Sequence, residues 1–258
     1  MRTLLTVMMR ELRSYFYSPI AYSVIFIFTL VAGFFFYSGM AMYGVTSFEM
    51  TRMAQMMPTQ ELSLSDFVIR PTFGNISVVM LLMMPLLTMR LFSEEKKSGS
   101  IELLFTWPIR DIELVLGKYF AALIVLAIAI GLTTVHVAIV GVYAPVPWGE
   151  FAASYLGLFL LGASFISLGL FVSTLTENQI ISAILSFGAL LIFWLGAWTM
   201  GQKRGLFPEV MKYISIIEHQ DPFFKGVIDT MHLVYYFSFI FLFLFLALRS
   251  LETNKWRS

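Results

Sequence analysis

The chain has 258 residues, of which 59% are hydrophobic and 13% charged, with a mean hydropathy of +0.82. Soluble domains average about 45–50% apolar and about 25% charged residues, so these figures exclude a soluble globular enzyme, a disordered tail and a nucleic-acid binder. A net charge of +1 gives no overall electrostatic preference for nucleic acid or acidic lipid, the lack of cysteine excludes disulfides, thiolate catalysis and Cys-ligated metals, and the class that remains is an all-α polytopic membrane protein.

In the first 18 residues, Leu5, Met8, Leu12, Tyr15 and Phe16 recur at helical spacing, with Arg2, Arg10, Glu11 and Arg13 elsewhere on the wheel. This pattern predicts an amphipathic helix at the membrane interface, ending at Ser18-Pro19. Charge-free windows follow at 20–44, 72–89, 119–149, 151–176, 178–202 and 230–248. Each supplies the roughly 20 apolar residues that cross a ~30 Å hydrocarbon core. The first window is too long for a signal-peptide core and no convincing small-residue cleavage site follows it. Six spans put both termini on one side. The N-terminal tail, the connection after the second span and the C-terminus hold Arg2, Arg10, Arg13, Arg90, Lys96, Lys97, Arg110, Lys118, Arg249, Lys255 and Arg257, which is 11 of the 17 Lys and Arg. The opposite loops hold the other 6, so both ends are expected to be cytoplasmic. No repeat, low-complexity stretch or soluble domain interrupts the chain, which reads as a single transmembrane domain over 1–258.

Around the first outer loop stand Met40, Met42, Met50, Met53, Met56 and Met57; thioethers at this spacing suit either Cu(I) or adaptable packing. Beyond the second span runs the charged segment 94–108, flanked by Arg90. Gly99 permits a sharp turn, Ser100 can cap a new helix and Glu102 falls in its first turn, where the dipole favours an acid. Ile101, Leu103, Leu104 and Phe105 add apolar bulk, and Pro108 stops the helix. A short cytoplasmic helix with an apolar tip results, suited to a groove on a partner; the alternative is a helix resting on lipid headgroups. Ser93 and Lys96 match S-x-x-K by spacing alone, without companion motifs.

The spans contain no Asp, Glu, Lys or Arg, only His136 and His232, which argues against an ion-driven transporter. Gly162, Gly169 and Ser173 form one small-residue stripe, and Ser182, Ser186 and Ala189 another, fit for packing within the chain or against a second copy. In the last outer loop, Glu218, His219 and Asp221 follow an amphipathic stretch and read as an outer gate or, alternatively, a metal site. No G-x-x-x-x-G-K-[ST], H-E-x-x-H or G-x-S-x-G motif occurs, and no nucleophile-and-base pair supports an intramembrane hydrolase.

The run Glu95-x3-Gly99-Ser-Ile-Glu-Leu-Leu104, then Pro108 and Leu116-Gly-Lys118, resembles type 2 ABC exporter permeases, whose pattern reads roughly E-x3-G-T-I-E-x-L. Ser100 replaces the commoner Thr and keeps the hydroxyl. The resemblance covers nearly the whole chain. Arg10–Tyr22 and Glu218–Asp229 are similar to a narrower branch, the gliding-motility-associated permeases and their nitrous-oxide-reductase-maturation relatives, which does not imply that the host glides. The resemblance implies six spans, an interfacial N-terminal helix and a coupling helix carried by Glu95, Gly99, Ser100, Ile101, Glu102, Leu103, Leu104, Phe105 and Pro108. It implies a bacterial inner membrane, ATP and Mg on a separate ATPase subunit, no cofactor on this chain and no enzyme activity of its own. A second permease subunit, copy or homologue, would meet it at the second and fifth spans. The rival readings are a non-transporting energy transducer acting on a periplasmic or auxiliary partner, and an ion-coupled secondary transporter.

Overall fold

A backbone inside hydrocarbon must satisfy its own hydrogen bonds, and with no strand-like alternation this apolar chain does so in helices. The computed structural model describes residues 2–54, 63–106, 109–143, 146–196 and 206–255. Their elements are α1 (Arg2–Tyr17), α2 (Pro19–Ala54), a π-helical turn (Ser65–Ile69) leading into α3 (Arg70–Thr88), α4 (Ser93–Lys97), α5 (Ser100–Thr106), α6 (Asp111–Tyr143), α7 (Trp148–Ser173), α8 (Gln179–Leu195), α9 (Leu206–Ile214), α10 (Asp221–Phe224) and α11 (Thr230–Lys255). Among the described residues, five stretches are long and apolar enough to cross a membrane: Pro19–Arg52, Ser65–Lys97, Asp111–Val142, Trp148–Ser173 and Thr230–Thr253. Gln179–Leu195 is apolar but shorter, and the expected window 178–202 continues into residues outside the described ones.

Several helices outrun the charge-free windows. α2 is 36 residues long and carries Glu49 and Arg52, while α6 is 33 residues long and takes in Asp111, Glu113 and Lys118. The physical reason is that a charge-free window marks the hydrocarbon crossing, whereas backbone hydrogen bonding continues through polar residues that find partners.

Helix α7 is the central post. In its most apolar window 83% of residues are buried, against 28% for α2 and 22% for α11. It packs on α3, α6, α8, α10 and α11. Its small-residue stripe serves contacts within the chain: a Cβ on Gly162 would stand 2.4 Å from Met80 Cε, and one on Gly169 would stand 2.1 Å from Thr88 Oγ1.

Helix α1 packs along the start of α6, with Val7, Glu11 and Tyr15 inward. This face differs from the expected stripe, since Leu5 is 53% exposed and a carboxylate takes the central buried position. Glu11 turns inward because α6 offers Lys118 as its partner, 2.9 Å away. Gly117 makes the approach possible, as a Cβ there would fall 2.8 Å from Val7 Cγ1.

Candidate functional site

Between α3 and α6 the chain makes an elbow of two short helices, α4 and α5. Gly99 turns it with φ of +71°, a conformation that costs an L-residue about 1–2 kcal/mol. The Ser100 hydroxyl lies 2.8 Å from that of Ser98 and donates to Glu95 O at 3.4 Å, so it ties α5 back to α4. The first turn of α5 closes through Glu102 N–H donating to Gly99 O at 3.3 Å.

Three helices hold this elbow by charge. Arg10 of α1 donates to Glu95 Oε1 at 2.8 Å, and Lys118 of α6 reaches the same oxygen at 3.0 Å. Lys118 is 1% exposed and lies over the Phe92 ring at 5.1 Å. Lys96 donates to Thr174 O at 2.5 Å, which places an ammonium at the negative end of the α7 dipole. Next to them the Tyr15 hydroxyl donates to Leu87 O at 2.9 Å, with Arg90 over its ring at 4.6 Å. Burial, together with Glu11, keeps that phenol protonated by raising its pKa far above the ordinary value. α4 is thus fastened to α1, α6 and α7 together.

Of the residues expected at the apolar tip, Ile101 and Leu104 are each 9% exposed and join the chain's own core. Glu102 is exposed. The side chains of Leu103 and Phe105, and all of Pro108, lie outside the described residues. Glu95 is clamped inside the cluster. Glu11, Arg10, Arg90 and Tyr15 lie outside the coupling motif; the sequence placed Tyr15 on an apolar stripe, Arg10 and Glu11 elsewhere on the wheel and Arg90 beside the charged segment, and did not join them to Glu95 or Lys118. Ser93 and Lys96 do not form a catalytic pair, since the serine hydroxyl donates to Met89 O and the lysine to Thr174 O.

At the opposite end of the bundle the structure disperses Glu218, His219 and Asp221 among separate partners. Asp221 accepts from Arg70 Nη2 at 2.8 Å and Lys225 Nζ at 2.5 Å, which pins α10 to the start of α3. Partial burial pushes its pKa up, but those two hydrogen bonds prevail and hold it below the ordinary carboxylate value. Glu218 faces Lys212 at 3.7 Å. His219 is 3% exposed and turns to His232, their Nδ1 atoms 2.8 Å apart. Among the described residues no three of His, Cys, Asp and Glu converge on a metal-sized site, so the trio does not assemble the metal alternative. His136 donates from Nδ1 to Thr133 O at 3.0 Å and packs over Gly33 of α2. Of the methionines near the first outer loop, Met42 is 63% exposed, and the side chains of Met53, Met56 and Met57 lie outside the described residues.

Comparison with curated proteins gives no match. Over residues 5–249, from α1 into α11, the chain matches the family described as ABC-2 family transporter protein. That span includes the elbow, its three clamping helices and the histidine pair. The chain belongs to the ABC-2 family of transporter proteins.

Proposed function

We propose that this chain, as the permease subunit of an ABC transporter, works in an ATP-driven exporter of the bacterial inner membrane. ATP and Mg sit on a separate ATPase subunit, which docks on α5. In this reading the window 178–202 is a sixth span, both termini are cytoplasmic, and a second permease subunit completes the translocation route. The observation that carries the reading is the elbow: a short helix beginning at a glycine turn, presenting Glu102 outward while Glu95, Lys96 and Lys118 join its base to α1, α6 and α7. A push on α5 then reaches three helices through ionic contacts and moves them as rigid bodies. The narrower gliding-motility and nitrous-oxide-reductase-maturation likeness rests on Arg10–Tyr22 and Glu218–Asp229 alone.

The test is copurification of the ATPase subunit with wild type and Glu102→Lys at matched expression. Reversing the charge at an interface costs about 2 kcal/mol, or roughly 30-fold in affinity. Recovery of the ATPase should fall accordingly while the variant remains folded and inserted. Undiminished recovery refutes docking on α5. Orientation is read separately in this cysteine-free chain with an impermeant thiol reagent on whole cells. Ser63→Cys should label and Ser98→Cys should not; the reverse overturns the topology.

A further inference from the structure

Two of the chain's three histidines meet at the end of the bundle away from the elbow. His219 Nε2 lies 2.9 Å from Tyr213 O and its Nδ1 lies 2.8 Å from His232 Nδ1. A carbonyl oxygen only accepts, so Nε2 carries the proton, and the neutral ring directs a bare Nδ1 lone pair at His232. The ring is stacked on Tyr235 with centroids 3.8 Å apart, and packing fixes its orientation. Burial, reinforced by His232, holds the His219 pKa below the ordinary histidine value, against an opposing pull from Tyr213 O and Glu218. A neutral imidazole whose second nitrogen donates to a backbone carbonyl is the arrangement that orients histidines on metal ions.

Next to the pair lies an open cavity of about 250 Å³, walled by Glu209, Lys212, Glu218 and Met231. Two imidazole nitrogens about 2.0–2.1 Å from a tetrahedral ion stand roughly 3.3 Å apart. An opening of about half an ångström therefore admits an ion between the rings, as the His232 proton leaves Nδ1 for Nε2 through solvent and both imidazoles stay neutral. We infer that His219 and His232 form a binding site for a divalent transition-metal ion of the zinc or copper class, with water and a cavity-wall carboxylate, Glu218 or Glu209, in the remaining positions. No third His, Cys, Asp or Glu already converges among the described residues, so the fixed protein ligands are the two imidazoles and the site is reversible. The ion joins the loop before α10 to the first turn of α11. Nothing in this inference depends on the exporter reading.

The test uses the full chain in detergent, purified on a histidine-free tag and stripped with chelator. Zn(II) titration by calorimetry should give one ion per chain, and Cu(II) should show electron-resonance coupling to two nitrogens. His219→Gln and His232→Gln should each weaken Zn(II) binding at least about tenfold. His136→Gln, on α6, should bind as wild type does, and Zn(II) should raise the melting temperature of wild type but not of His232→Gln. If His219→Gln fails to fold, His232→Gln, at the less buried position, decides. If both fail, the two-nitrogen signature of wild type decides. Zn(II) binding no tighter to wild type than to His232→Gln overturns the inference, as does a pair that takes up protons only.

Discussion

Lys118→Met keeps the length and apolar stem of the side chain and deletes its charge. Two carboxylates then lose their partner: Glu11, at 2.9 Å with 10% of its side chain exposed, and Glu95, at 3.0 Å with 15% exposed. Removing one member of a buried ion pair costs about 3–5 kcal/mol, because a charge remains without compensation. The low end applies to this cluster. Glu95 keeps Arg10 at 2.8 Å, so the uncompensated charge is chiefly that of Glu11. For a chain of this size about 3 kcal/mol corresponds to a melting temperature lower by roughly 6–12 °C. The assay is tryptophan-fluorescence melting of the purified protein, using its five tryptophans. Glu11→Gln combined with Lys118→Met should recover a large part of the loss, since the amide stays polar without stranding a charge. A single variant within about 2 °C of wild type, or a double variant no better than the single, refutes the argument that these charges compensate one another.

Gly99→Ala meets open space, so its cost is the φ of +71° alone, about 1 kcal/mol. Melting should change little whether the alanine holds that φ or leaves it, while ATPase copurification falls because the backbone that relaxes from +71° re-aims α5. Gly169→Ala sets a Cβ 2.1 Å from Thr88 Oγ1 in a fully buried contact and should cost about 1–3 kcal/mol by melting, with Thr88→Ala restoring part of it. Asp221→Asn releases Arg70 and Lys225 together and should cost about 1 kcal/mol, as partly exposed ion pairs do. The folded-state pKa of Asp221 is depressed, so its contribution is complete above the unfolded value and is lost only as pH falls through the lower folded one. The melting difference between wild type and Asp221→Asn should therefore hold steady down to about pH 5 and shrink below about pH 4.

Helices were legible wherever the absence of charge fixed an environment, as across Gly157–Val172 of α7 or Leu126–Val142 of α6. Their ends were not, because polar side chains at the ends find partners remote in sequence. Glu113 extends α6 while accepting from Thr3 at 2.6 Å, and Lys118 while pairing with Glu11. The turn at Gly99 could be read from the residue type alone, since glycine alone enters that region without strain. The direction of Ile101 and Leu104 could not, because an apolar tip on a seven-residue helix fits its own chain or a partner equally well. The histidine pair was hidden for a related reason. His219 lies in the loop before α10 and His232 in the first turn of α11, and only the turns between them bring the rings together.

The glycines of α7 have a mechanical consequence. Phe223 of α10 fills the notch at Gly157, Met80 of α3 the notch at Gly162, and Thr88 of α3 the notch at Gly169. These detents are spread over about 18 Å of helix axis. A knob seated in a notch resists sliding along the groove, and detents at several heights also resist tilting. α3, α7 and α10 therefore behave as one strut with a fixed longitudinal register, and relative displacement is left to the helices around them. α2 and α11, with 28% and 22% of their most apolar windows buried, turn most of their surface outward from this strut.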